Sequence, residues 1–139
     1  MRNRYVKVAV VQAAPILFDK SSAMEAIESL TRKAAVQGAK LIVFPEVFLS
    51  GYPRGLAFGA RVGSRTEEGR RIWQRYWESS IDVPGAETDK LGELAKEFGV
   101  YLIVGAVERD REFSRGTLYN SIVYIGPDGE LLGKHRKLV

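Results

Sequence analysis

Four consecutive apolar residues, Leu41-Ile42-Val43-Phe44, stand between Gly38 and Pro45 and are followed at once by a glutamate, Glu46. A run of that length bounded by glycine and proline reads as a buried strand. Pro45 ends it, because proline has no N–H to give to a ladder. A second apolar stretch, Val47-Phe48-Leu49, and a Gly51-Tyr52-Pro53 turn follow. Glu46 is thereby confined to the mouth of a strand, between two apolar segments, and two outcomes are open to it. It leaves the strand into solvent, as most glutamates do. Or it is held partly buried, where desolvation raises its pKa toward the range of a general base and calls for a nearby cation.

Around this strand the pattern alternates between the two periods. Val6 to Gln12 is a short apolar strand. Ser22 and Glu25 have the spacing of a capping box and open a predicted helix with Ile27, Leu30 and Ala34 on one face, closed by Gly38. Strand, helix and strand in this order imply a crossover between parallel neighbours. The segment from Glu46 to Gly63 is irregular, but its aromatic and leucine content argues against disorder. Ser64 and Glu67 repeat the capping-box spacing before a helix carrying Trp73 and Trp77, four apart and expected to pack in the core, with a subunit contact as the second reading. Leu91, Leu94, Ala95 and Phe98 mark a third helix that Gly99 ends. Val100–Val107 and Leu118–Ile125 then read as strands joined by a charged loop from Glu108 to Gly116. The turn Gly126-Pro127-Asp128-Gly129 leads into a last strand, Glu130 to Lys137. The whole is an α/β pattern with a mixed sheet and no linker to divide it.

Composition narrows the chemistry. With no cysteine and a single histidine, disulfides, zinc-thiolate sites and thiol catalysis have no residues to use within the chain. Ser50 is not in a Gly-x-Ser-x-Gly elbow, so a serine triad is not expected. The net charge of +4 comes from scattered basic residues without aromatic interleaving, which argues against a nucleic acid partner. No apolar run approaches a signal-peptide core or a membrane span, and a cytoplasmic location is the default.

The stretch Gly38, Leu41-Ile42, Phe44, Glu46, Leu49 and Gly51-Tyr52-Pro53 resembles the first signature of the nitrilase superfamily. Gly133-Lys134-His135-Arg136-Lys137-Leu138 is similar to that family's lysine-bearing segment. Ile81-Asp82-Val83-Pro84-Gly85, Tyr101 to Glu108 and Leu118 to Tyr124 fall between them in the family's order. Gly51 to Gly55 with Gly63-Ser64-Arg65-Thr66 resembles the nitrilase branch, of plant and bacterial type, more than the amidase branches.

The resemblance implies that residues 1–139 are the N-terminal portion of a single hydrolase domain, part of a four-layer α-β-β-α sandwich. It implies a Cys-Glu-Lys site, of which Glu46 is the base and Lys137 the stabilising cation. The cysteine would lie beyond residue 139 in the complete enzyme. The implied substrate is a small organic nitrile, the implied assembly a homo-oligomer (dimer or larger), and neither metal nor organic cofactor is needed. Tyr52 either lines the substrate pocket or fixes its turn, whereas Arg54 and His135 are expected to be surface or structural residues. Two alternatives stay open: an amidase-branch hydrolase, and a non-catalytic binding or assembly module.

Overall fold

The computed structural model describes residues 5–56, 58 and 66–138. Eight elements follow one another: β1 (Val8–Val10), α1 (Lys20–Val36), β2 (Leu41–Val43), α2 (Glu67–Ser79), α3 (Ala86–Phe98), β3 (Tyr101–Arg109), β4 (Leu118–Ile125) and β5 (Leu131–Arg136). The strands form one sheet in sequence order. β1, β2 and β3 run parallel, and β3, β4 and β5 are joined as antiparallel neighbours. The expected mixed α/β sheet is therefore present.

Helix α1 starts earlier than the Ser22–Glu25 spacing predicts. Asp19 is the cap, and its carboxylate accepts the Ser22 N–H at 3.0 Å and the Ser22 hydroxyl at 2.7 Å. A carboxylate competes well for the orphan N–H groups of a first turn, which explains the displacement. Thr66 caps α2 in the same way, through the Gly69 N–H; Gly63, Ser64 and Arg65 lie outside the described residues. Helix α3 ends as expected on Gly99, in the left-handed region at φ 58°.

One face of the sheet is covered. Ala23 and Ile27 of α1, with Leu91 and Ala95 of α3, close over Ile42, Leu102, Val104, Ala106, Val123 and Ile125 in a single apolar cluster. The opposite face is much less enclosed, with Val8 49 %, Val10 77 % and Tyr101 47 % exposed. Trp73 and Trp77 do not enter this core. Trp73 meets Phe58 edge-on at 5.6 Å, and Trp77 donates to the Arg115 carbonyl under the Arg109 guanidinium. Helix α2 buries only Gly69 and Ser79, so its aromatic stripe packs against loops instead of the sheet.

Two backbone contacts shape the region near the site. β2 stops at Val43, yet the edge of β3 that it leaves does not go unpaired. Leu49 N–H donates to Gly105 O, Ile81 N–H to Val107 O and Arg109 N–H to Ile81 O, which satisfies that edge in turn. Farther off, α3 and the turn before β5 touch main chain to main chain. A Cβ on Gly92 would lie 2.4 Å from the Gly129 carbonyl oxygen, so no side chain fits between them. Among the described residues, no helix is long and apolar enough to cross a membrane.

Candidate active site

Glu46 opens the tight turn that follows β2. The next residue, Val47, has φ 44°, a region that β-branched residues avoid. It is held there by N–H groups of Ser50 and Gly51, which donate to its carbonyl at 3.2 and 2.7 Å. Underneath lies Gly105 of β3. A Cβ at that position would fall 2.3 Å from Pro45 O and 2.8 Å from Glu46 Cα. The absent side chain lets the glutamate's backbone rest directly on the sheet. Gly105→Ala is therefore expected to lift the turn, costing ~1–3 kcal/mol in a denaturant titration as overpacking does. An unchanged midpoint would mean that the turn yields freely.

Lys137 reaches the same place from the end of β5. Its N–H donates to Asn120 O at 2.8 Å, which continues the β4–β5 ladder one residue past the strand. Its Nζ lies 2.7 Å from Glu46 Oε1, across a sequence separation of 91 residues. Asn120 Nδ2 donates to the same oxygen at 2.5 Å. Both donors thus converge on Oε1, and among the described residues Oε2 receives no hydrogen bond. The three polar groups sit in an open groove of about 440 Å³, with Phe44, Ile122 and His135 along its walls.

The expectation of a partly buried Glu46 with a raised pKa is not met. Its side chain is 50 % exposed. The hydrogen bonds from Lys137 and then Asn120 hold its carboxyl below the ordinary 4.5, outweighing the small effect of burial. The Lys137 ammonium is correspondingly raised by its hydrogen bond and charge attraction to Glu46. Both groups are ionised at neutral pH.

Tyr52 is 58 % exposed and does not line the groove. Burial, with a smaller charge interaction from Tyr52, pushes the Tyr76 hydroxyl up to about 12. Arg54 and His135 are exposed. The Ser50 side chain is fully buried and donates to Ser79 O at 2.8 Å.

Two further residues escape the reading of the sequence. Asn120 lies inside a stretch that matches a family pattern, but an asparagine in a strand announces no role. Glu108, placed by its charge in the loop after β3, is instead inside the strand and 1 % exposed. Ser121, Lys134 and Arg136 all donate to it. Burial works against its charged form, and the Arg136, Lys134 and Ser121 hydrogen bonds together overcome it, so its pKa is below 4.5. A depressed folded pKa means stabilisation that is present above the ordinary value and lost as pH falls through the folded one. Asp110, whose carboxylate accepts the Glu112, Phe113 and Ser114 N–H groups, is lowered as well. Thermal midpoints followed from neutral pH downward are expected to fall most steeply below pH 4.5. A flat profile through that range would remove these carboxylates from the stability account. Among the described residues, no group of three or more His, Cys, Asp or Glu side chains is placed to hold a metal ion.

Residues 7–139 match the family model described as carbon-nitrogen hydrolase. The chain is 44 % identical over 134 residues to a bifunctional nitrilase/nitrile hydratase of Lupinus angustifolius, covering 96 % of this chain and 37 % of that protein. It is 47 % identical over 133 residues to an aliphatic nitrilase of Sinorhizobium fredii (strain HH103), covering 96 % of this chain and 42 % of the relative. Among solved structures, Nit3 of Saccharomyces cerevisiae, a member of the nitrilase superfamily, superposes with a TM-score of 0.72 at 25 % identity over 96 % of this chain and 44 % of that one. The chain thus spans about two fifths of the length of the curated relatives it matches. The likeness in fold agrees with an N-terminal part of the four-layer sandwich.

Proposed function

The chain belongs to the carbon-nitrogen hydrolase family, and on that premise we propose that it is the N-terminal portion of a hydrolase domain converting a small organic nitrile to a carboxylic acid and ammonia. The observation that carries this proposal is the meeting of Glu46 and Lys137 at 2.7 Å in one groove. An ionised carboxylate with one oxygen anchored by two donors keeps the other free to accept a proton. The ammonium beside it offers fixed positive charge to whatever anion develops there.

In the proposed sequence, a cysteine thiol from outside these 139 residues gives its proton to Glu46 and attacks the nitrile carbon. Lys137 stabilises the nitrogen anion as the C≡N bond becomes C=N, and the proton held by Glu46 passes to that nitrogen, which restores the carboxylate. Water activated by the same carboxylate then adds, ammonia departs, and a second water frees the acid from the thioester. Two waters and one nitrile thus give one acid and one ammonia, with the thiol regenerated. Tyr52, exposed beyond the groove wall, is proposed to meet the substrate's substituent. The working form is proposed to be a homo-oligomer, which light scattering on the complete enzyme will read.

The test is ammonia release by the complete enzyme from a panel of aliphatic and aromatic nitriles and the matching amides. Turnover of nitriles well above the amides is expected. Turnover of amides alone would overturn the nitrile assignment in favour of an amidase, and no turnover of either class would remove the catalytic reading.

A further inference from the structure

A second charged cluster lies on the face of the sheet opposite Glu46, and no step above uses it. Glu108 receives Ser121 Oγ at 2.7 Å and Lys134 Nζ at 2.5 Å. Arg136 adds Nη2 at 2.7 Å and Nε at 3.2 Å, one to each carboxylate oxygen. Lys134 also donates to Val83 O at 2.8 Å, and the Arg136 guanidinium stands 3.8 Å from the Tyr119 ring centre.

The position of this cluster along the ladder is what matters. Ser121 and Arg136 are register partners, and Asn120 and Lys137 are their immediate neighbours on the two strands. Successive side chains of a strand alternate between faces. Ser121 and Arg136 therefore turn to Glu108, while Asn120 and Lys137 turn to Glu46, as their hydrogen bonds show. The two clusters sit back to back on adjacent rungs.

The strand that carries Lys137 needs such a device. β5 is at the edge of the sheet, and its sequence, Leu-Leu-Gly-Lys-His-Arg, offers little apolar alternation to hold it in place. It is also bulged: Tyr124 pairs with Gly133 and Ile125 with Leu131, leaving Leu132 as an extra residue. Edge strands with weak patterning are the ones that slip, and a slip of one residue exchanges the faces of every side chain. Here it would carry Arg136 toward Glu46 and Lys137 toward Glu108. Charge sign does not oppose that exchange, since both side chains are cations. The two-point geometry of guanidinium on carboxylate does, because a lysine cannot reproduce it.

We propose that Glu108 is a positioning residue, which holds Lys134 and Arg136 on the helix-covered face and thereby fixes the register that presents Lys137 and Asn120 to Glu46. The proposal rests on the reading of Glu46 and Lys137 as the reacting pair. A buried ion cluster is a poor device for stability alone, because apolar side chains of similar volume commonly serve as well or better. Fixing register is its best-attested use.

The experiment compares two variants of the complete enzyme with the wild type: the apolar triple E108L/K134M/R136M, and E108D, which keeps the charge but shortens its reach. Three quantities are read: the thermal midpoint, kcat and KM for a nitrile, and the titration of the Glu46 carboxyl by 13C NMR. The triple variant is expected to fold with a midpoint near that of the wild type. Its kcat should fall about 10²-fold, as a misplacement of the order of 1 Å produces, with KM little changed. The Glu46 titration should move up toward its ordinary 4.5 as Lys137 departs. E108D should shift both kcat and the titration in the same direction, and it decides the matter should the triple variant not fold. A folded variant with wild-type kcat and wild-type Glu46 titration overturns the proposal. Failure of the catalytic reading looks different: Glu46→Gln and Lys137→Met would leave ammonia release intact, whereas the NMR titration would still report whether Glu108 positions Lys137.

Discussion

Replacing Glu46 by glutamine in the complete enzyme is expected to lower ammonia release from nitriles by about 10²–10⁴-fold with the fold intact, the usual loss for a missing general base. Glutamine keeps the length of the side chain and an oxygen to receive Asn120 and Lys137, which both bond Oε1. What it removes is the proton acceptor at Oε2 and the negative charge beside Lys137. Structure should survive because the pair is half exposed, at 50 % and 62 % for the two side chains, and exposed ion pairs add little to stability. Activity and stability are thus separable at this position. The measurement is kcat/KM by ammonia assay, with circular dichroism melting on the same samples. Near-normal ammonia release from a folded variant would show that some other group takes the proton.

The 139 residues by themselves are expected to release no ammonia from any nitrile or amide, a loss without a lower bound. No cysteine is present to form the covalent intermediate. The serine nearest the Glu46 turn, Ser50, is fully buried and committed to the Ser79 carbonyl. The same fragment is expected to associate. Val10 is 77 % exposed and Leu132 57 %, on the two edge strands of a sheet whose second face is largely open. Unpaired edges beside apolar surface invite pairing between copies. Size-exclusion chromatography and a high-concentration ammonia assay decide both points. A monomer that unfolds cooperatively would refute the surface argument, and reproducible turnover would refute the need for a thiol.

Much of the architecture is legible in the sequence because it is carried by local chemistry. Leu118–Ile125 is read to the residue, since a stretch rich in apolar and β-branched residues is bounded by a turn on one side and a charged loop on the other. Gly99 ends α3 where a left-handed residue is required. The convergence of Glu46 with Lys137 follows from motifs at opposite ends of the chain, although no local rule connects them. The environment of Glu46 is another matter. Its burial depends on what surrounds the turn, and the sign of its pKa shift on two donors from other strands. Glu108 is misread because a glutamate followed by Arg-Asp-Arg-Glu looks like a solvated loop. Only tertiary pairing with Lys134 and Arg136 makes its burial tolerable. Gly105 and Asn120 carry no signal of their own: one matters through a side chain it lacks, the other through a neighbour distant in sequence.

The Gly92–Gly129 contact gives the site a mechanical linkage. Side chains between two elements act as a compliant layer, whereas main chain against main chain leaves almost none. The turn at Gly129 is thus seated on α3 without padding. From that seat β5 runs roughly 20 Å, at the rise of a strand, to Lys137. Lys137 thus lies at the far end of a strand whose near end is set by a helix on the other layer of the molecule. A tilt of α3 would enter β5 through the Gly129 turn, while α2 meets the other side of the groove through the Ser79 carbonyl, which holds Ser50 in the Glu46 turn.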